Sequence, residues 1–591
     1  MSSNSNWKPR HMAPARVRSS SNWKPNHMAP ARKRGGRGAG AAMPAQTVAA
    51  AEPSKAPEST ENQVGRNAAL MSFLVIVSRI TGFFRTWGQS FALGAGMVAS
   101  CYSVANNLPN QLYEIVVGGM LVTAFLPVYM SVKQREGAKG ASRYTSNLVS
   151  IVILLMGAVT ILGFAFAAQL VWTQSFSATS DFDAGFATYL FRFFVVEVVL
   201  YSLSSIFSGV LNAERDYFWS SASSIFNNFV ITASFLLYAA LVNANPTLAT
   251  LILAIGNPAG VAVQVLVQMP SLRKHGIRLT WCVDWHDPAL RDTLSIGIPS
   301  LVVMITSFVT TSVQQSTSLS VSVSGASVIY YARLWYTLPY AILAVPITTA
   351  MFTELSDRFA HDDIDGFKRG VVSGMSQILF FMVPFGMYLV TFSMPLSSLV
   401  AAGKFTADQL GMTAAYICGL ACALPFYGIG MYFQKVTSSM RRMRVYALAN
   451  VVGGAGQVAM LLLLDPAWFG EAVSMFVIAL TSFVFFLLVD IVTIMNLRGT
   501  LGSMGFGSAM RSFAKSALFG LAGSGVGFVV LRALTALVGS CEGHTFLSLV
   551  YCAAAGIPSV LVTYGLAVLF KVPEARFVRS ALARITRRRR R

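Results

Sequence analysis

Between residues 68 and 570 the chain is a succession of apolar runs, most of twenty or more residues, separated by short polar breaks. At about 1.5 Å of rise per residue such runs match the roughly 30 Å hydrocarbon core of a bilayer. The pattern predicts an all-α polytopic membrane protein with about fourteen spans. The breaks alternate in charge. After even-numbered spans they hold Lys133, Arg135, Lys139, Arg143, Arg215, Arg273, Lys274, Arg278, Arg291, Arg358, Lys368, Arg369, Arg441, Arg442, Arg498 and Arg511. After odd-numbered spans, apart from Lys404, they hold acids such as Asp181, Asp183, Asp465 and Glu542. Basic loops stay on the cytoplasmic side, so both termini are expected there.

The loop after the sixth span divides the pattern. The chain reads as a basic tail (1–66), a first lobe (67–271), a cytoplasmic amphipathic linker (272–293), a second lobe (294–500), two extra C-terminal helices (501–571) and a second basic tail (572–591). In the linker, Asp287 and Pro288 have the character of an N-cap and first helical residue. Two six-helix lobes that start on the same side can be related by an axis along the membrane normal and enclose a central cavity. A faint repeat agrees: Leu108-Pro109 then Thr123-Ala124 in the second span, Leu338-Pro339 then Thr349-Ala350 in the eighth.

Composition supports this reading. The 591 residues are 54% hydrophobic and only 12% charged, where a soluble chain carries about 25% charged residues. Much of the net charge of +21 sits in the two tails, which suit anionic lipid headgroups. Nucleic acid is not an expected partner, because no aromatic-lined basic domain accompanies the tails. The first tail repeats itself, Ser5-Asn6-Trp7-Lys8-Pro9 returning as Ser21-Asn22-Trp23-Lys24-Pro25. It lacks the apolar content to build a core, so disorder is expected. The six cysteines show no metal-type spacing, and no phosphate-binding loop is visible. Neither a metal, a cofactor nor a catalytic set is expected.

The informative residues are the charges and breaks inside the spans. Arg79 and Arg85 fall in the first span. An unpaired cation at mid-bilayer is unfavourable by at least about 3 kcal/mol, so a wet cavity that receives an anion is the economical explanation. Arg85 alone has a second reading, snorkelling to the outer interface. In the long second span, Asn106-Asn107-Leu108-Pro109-Asn110 is the expected break, since Pro109 frees a carbonyl. Glu114 follows, placed to pair with Arg79 or Arg85. Gly82 and Pro339 are further candidate breaks. Arg333, flanked by Tyr330, Tyr331, Trp335 and Tyr336, can face Arg79 from the second lobe. Arg192 is expected to snorkel, and Asp490 to be capped by water or a nearby arginine; Glu197 has no evident role.

These residues resemble those of a known family. Ser78-Arg79-Ile80-Thr81-Gly82-Phe83-Phe84-Arg85, Gly94-Ala95-Gly96-Met97, Leu108-Pro109-Asn110, Gly118-Gly119 and Ala124-Phe125-Leu126-Pro127-Val128-Tyr129 are similar to the start of the MurJ/MviN lipid II flippases of the MOP exporter superfamily. Gly403-Lys404-Phe405-Thr406 and Tyr432-Phe433-Gln434-Lys435 resemble its tenth-span region. The resemblance implies fourteen spans around a cationic cavity. It also implies movement of an undecaprenyl-pyrophosphate-linked peptidoglycan precursor, lipid II, from the inner to the outer leaflet, with Arg79 and Arg85 as the family arginines. Departures are Ser100 where many members carry Asp, Tyr113 and Glu114 where some carry two arginines, and Arg333 shifted by one position. Alternatives from the sequence are an exporter of another lipid-linked oligosaccharide and a membrane scaffold for cell-wall synthesis proteins.

Overall fold

The computed structural model describes residues 60–115, 119–287, 298–464 and 473–575. Its helices, in chain order, are α1 (Thr60–Leu93), α2 (Met97–Tyr113), α3 (Gly119–Ala165), α4 (Ala167–Trp172), α5 (Ala184–Phe194), α6 (Glu197–Ala213), α7 (Tyr217–Leu241), α8 (Pro246–Leu266) and α9 (Met269–Lys274) in the first half. The second half contains α10 (Ile298–Val321), α11 (Gly325–Pro339), α12 (Val345–Ala360), α13 (Ile364–Thr391), α14 (Ser393–Val400), α15 (Ala407–Ser439), α16 (Met443–Leu463) and α17 (Met475–Leu501). The hairpin α18 (Gly507–Val538) and α19 (Thr545–Leu569) follows. Among the described residues, eleven helices are long and apolar enough to cross a membrane, fewer than the fourteen expected. The duplicated motif of the first tail and the end of the second lie outside the described residues.

Each half packs a core of its own. Tyr102, Phe125, Tyr144, Phe191, Phe194, Phe207 and Phe235 are buried together in the first. Val328, Phe367, Ile378, Tyr416, Tyr432 and Phe433 anchor the second. Within the second, α15 and α17 approach closely because Gly419 has no Cβ, whose position would lie 2.5 Å from the Phe476 carbonyl. Small residues at such crossings replace the missing hydrophobic drive inside a bilayer. The hairpin packs on α13 through Phe380, Phe519 and Ala567. Helix starts follow local chemistry: Asp183, Asn245 and Asp363 accept from backbone N–H groups of the first turn, and Thr406 with Gln409 forms a capping box.

Several boundaries differ from the sequence reading. Helix α1 begins at Thr60 rather than near residue 68. Pro109 does not break α2, which continues to Tyr113 before a π-type turn at Glu114–Ile115. The carbonyl that Pro109 frees lies on a helix whose other bonds persist. Gly82 lies inside unbroken α1, where its missing Cβ admits the Asn228 amide at 3.7 Å. The basic stretch after the second span is helical on both sides of Gly137, whose φ of 68° makes the turn. Pro339 ends α11, and a π-helical turn, Tyr340–Ala344, leads into α12.

The linker is an extended strap over the residues described. Ser142, Ser146 and Ser150, one helical turn apart on α3, accept from the backbone N–H groups of Arg278, Thr280 and Cys282 at 2.9, 3.2 and 3.1 Å. Asn147 accepts from Asp284 N at 2.7 Å and donates back to Asp284 O at 3.0 Å. Alternate residues thus spend their N–H groups on α3, while Leu279, Trp281, Val283 and Trp285 stay exposed. The amphipathic helix expected from Asp287 and Pro288 onward lies outside the described residues.

Candidate functional site

The two halves meet at one end of the bundle. After α1, Gly94 turns the chain with φ 64°; its carbonyl accepts from Tyr331 Oη at 2.8 Å. Ser327 Oγ donates to Ala95 O at 2.6 Å, and Ser327 N donates to Ser100 Oγ at 3.3 Å. Ser177 N donates to Ser316 Oγ at 2.7 Å and Thr179 N to Leu319 O at 3.1 Å. Lys404 lies over the Phe91 ring at 5.5 Å. Ser100, where an acid was the family expectation, is therefore a neutral member of this seam.

Beyond the seam the halves diverge around a cavity of about 290 Å³. Its wall is Arg85 and Thr86 of α1, Ser103, Asn106, Asn107 and Asn110 of α2, Gln315 of α10, and Ile329, Tyr330, Arg333, Leu334 and Thr337 of α11. The structure thus brings Arg85, Asn106, Asn107 and Arg333 together. Among the described residues α1, α2 and α10 are not among the helices long and apolar enough to cross a membrane, α2 being 17 residues long.

Counted from Leu93 at about 1.5 Å per residue, Arg85 lies about 12 Å and Arg79 about 21 Å along α1. Arg85 is half-buried and lies in the field of Tyr330, which lines the same cavity. Arg79 does not line the cavity beside it. Ser78 and Thr81 face α7, where the Asn228 amide donates to Thr81 Oγ1 at 3.0 Å and Ser78 O at 3.3 Å. That packing leaves Arg79 exposed, within electrostatic reach of Tyr427 in the second half, as is Arg333.

Glu114 departs from expectation. Among the described residues it forms no ion pair with Arg79 or Arg85; it is exposed and lies in the field of Arg333. Glu114 continues the helical path of α2, with φ −61° and ψ −40°. Arg192 lies over the Phe164 ring at 5.6 Å. Asp490 is 3% exposed, and among the described residues neither carboxylate oxygen has a hydrogen-bond partner, so no arginine caps it.

The sequence reading missed Glu197. Its carboxylate is fully buried and accepts from Asn257 Nδ2 at 2.9 and 3.0 Å. The same nitrogen donates to Asn106 Oδ1 at 2.6 Å. Its only sequence signal was an acid inside an apolar span with no basic residue one turn away. A second amide chain runs from Asn107 to Gln174 at 3.4 Å and from Gln174 to Gln111 at 2.9 Å.

The cavity can hold an anion between two guanidinium groups and present amides to polar substituents. On the other face of α11 lies an apolar groove of about 520 Å³, lined by Trp335, Pro339, Ile342 and Leu343 with Phe385, Phe392, Ile557 and Leu561. Phe83 of α1 and Trp335, with ring centroids 6.0 Å apart, stand between cavity and groove.

The profile of the family described as lipid II flippase MurJ matches residues 90–539. A probable lipid II flippase MurJ of Borreliella burgdorferi is 23% identical over 373 residues, covering 63% of this chain and 72% of the relative. A lipid II flippase MurJ of Burkholderia cenocepacia is 24% identical over 369 residues, covering 61% and 69%. Among solved structures, a lipid II flippase MurJ in an inward closed conformation superposes with a TM-score of 0.65 at 19% identity, over 84% of this chain and 99% of the other. An inward-facing multidrug resistance MATE transporter of the MOP superfamily gives 0.61 at 13% identity, over 73% and 98%.

Proposed function

The chain belongs to the lipid II flippase MurJ family, and from that premise we propose that it carries the pyrophosphate of lipid II between Arg85 and Arg333 by alternating access. Lipid II is the substrate that the family names, and the protein is a polytopic membrane transporter rather than an enzyme. The observation that supports the site assignment is the cavity shared by the two halves, with one guanidinium from each. Charge-assisted, forked hydrogen bonds suit a pyrophosphate. The amides of Asn106 and Asn107 suit sugar hydroxyls. Arg79 and Glu114, at the margin, guide entry rather than hold the bound group.

Helix α11 separates charged and apolar space. A polar head bound on one face and a polyprenyl chain lying in the groove on the other would straddle it, passing Phe83 and Trp335. With the basic loops inside the cell, the seam from Gly94 to Ser100 lies at the outer side of the bacterial inner membrane and the cavity faces the cytoplasm. Rocking of one half against the other then opens the seam. A potential of 100 mV is worth about 2.3 kcal/mol per charge, enough to bias the return of the empty cationic carrier.

The test uses cells depleted of their own flippase and expressing this chain. Outer-leaflet lipid II is expected with the wild type and is expected to be lost with Arg85→Ala. Undiminished export by the variant ends the assignment of Arg85, whereas no export by the wild type ends the lipid II reading. Deleting residues 1–60 distinguishes the scaffold alternative: a flippase retains export without that tail.

A further inference from the structure

The acid that faces the cavity arginine from behind has no place in the scheme above. Glu197 opens α6 just after the chain turns at Val195 and Val196. Its two oxygens can accept about four hydrogen bonds. They receive the Asn257 amide, which is shared with Asn106, and the Tyr201 hydroxyl. An amide nitrogen has two hydrogens, here divided among three acceptors, so the carboxylate is undersupplied. The charged and titratable groups facing it are Arg85 of α1, Tyr102 of α2 and Tyr201 of its own helix. Asn110 of α2 hydrogen-bonds Tyr201 in turn. Among the described residues Glu197 and Arg85 form no ion pair, although Glu197 lies in the field of Arg85. Asn106 lines the cavity, so the network reaches from its wall to the buried acid.

We propose that Glu197 is a proton-binding site linked to the anion site: it takes up a proton when a pyrophosphate occupies Arg85 and releases it when the arginine is vacated. The proposal rests on the flippase reading and adds a second ligand to the same site. With the cavity empty, the Glu197 carboxylate balances Arg85. When a doubly ionised pyrophosphate arrives, three negative charges face Arg85 and Arg333 in a region of low dielectric. Like charges in such a region repel. One proton from cavity water converts the carboxylate to a carboxylic acid, and no other bond changes. The acid gains an O–H donor for the neighbouring amide oxygens. Linkage makes the effect reciprocal: if the anion favours the proton, the proton favours the anion by the same factor.

The experiment measures lipid II binding to the full-length protein in nanodiscs from about pH 5.5 to about pH 9. The pyrophosphate diester remains doubly ionised throughout, so a pH dependence reports on the protein. Wild-type affinity is expected to fall as pH rises, at up to about tenfold per pH unit for one linked proton. Binding in weak buffer is expected to take up close to one proton. Glu197→Gln is expected to bind as tightly at high pH as at low pH and to take up none. A wild type that binds equally at every pH with no proton uptake overturns the proposal, as does a variant that keeps the wild-type slope. The proton-uptake measurement needs no variant, so it decides the matter even if Glu197→Gln folds poorly. A wild type that binds no lipid II at any pH defeats the flippase reading itself.

Discussion

The two walls of the cavity are built on different principles. The first-half wall is a hydrogen-bonded lattice: Asn106, Asn257 and Glu197 are joined at 2.6 to 3.0 Å, and Asn107 continues through Gln174 to Gln111. The second-half wall is carried mainly by α11, whose packing against its own half is aromatic. Tyr427 packs against Tyr336, Tyr340 and Phe486 with centroids 4.7 to 5.1 Å apart, beside a π-helical turn. Among the described residues the Tyr336 hydroxyl and both Asp490 oxygens lack partners. Connected polar networks favour one geometry. On the proposed mechanism the first wall would hold the anion's position and the second would accommodate movement around it.

The arginines give the sharpest way to break this contrast. Arg85, half-buried and in the field of Tyr330, is expected to contribute a charge-assisted bond worth about 1.5–3 kcal/mol. Arg85→Ala should therefore weaken lipid II binding by about 10- to 100-fold. Arg333, exposed on the second-half wall, should lose about threefold to tenfold when changed to alanine. Equal losses in the same binding assay would remove the distinction. A second comparison uses the buried acids. Glu197→Leu leaves the Asn257 amide without its carboxylate and should destabilise the fold by about 1–3 kcal/mol. Asp490→Leu removes an unpartnered carboxylate and should be neutral or stabilising. Thermal unfolding of the two variants in one detergent checks the pair, and matching drops in melting temperature would contradict the account.

Smaller effects refine it. Tyr331→Phe deletes one bond across the seam and should shift the balance toward opening by about 1 kcal/mol, read as a broadened distance distribution between spin labels on either side. The weakest effect concerns how the halves are braced outside the membrane. Lys133 Nζ donates to Glu214 at 2.7 and 2.5 Å, and Tyr129 Oη at 2.6 Å. Burial alone would raise the Glu214 carboxyl, but these donors outweigh it and hold the group below the usual glutamate range. A carboxyl depressed on folding adds stability above its unfolded value, near pH 4.3, and loses it as pH falls through the lower folded value. Wild-type protein should thus lose more stability than Glu214→Gln between neutral pH and about pH 3. In the second half the corresponding pair, Arg358 with Glu354, lies within one helix and should show a smaller change.

Much of this architecture is legible in residue order, because apolar run length reports directly on a bilayer-spanning helix. The convergence of Arg85, Asn106, Asn107 and Arg333 is legible for the same reason: polar groups in such runs are driven toward any available water. What escapes is phase and pairing. Hydropathy does not say which side of α1 faces α7, and that choice, made by Ser78 and Thr81 against Asn228, takes Arg79 out of the cavity wall. Glu197 and Asn257 are sixty positions apart, and no local pattern couples them. Pro109 misleads because one missing backbone bond does not outweigh the packing that keeps α2 straight. The strap was legible only as polar spacing, since its partner is a row of serines on α3 rather than an apolar face.

The seam from Gly94 to Ser100 has one more consequence. It consists of hydroxyls, backbone amides and carbonyls; with the bonds of Ser177 and Thr179, five direct bonds join the halves among the described residues, each worth about 1 kcal/mol net. A latch of that strength sits within a small multiple of the work that the resting voltage performs on two or three fixed cations. In the proposed rocking motion, binding of a single headgroup would have to offset only a few kcal/mol of hydrogen bonding at this seam.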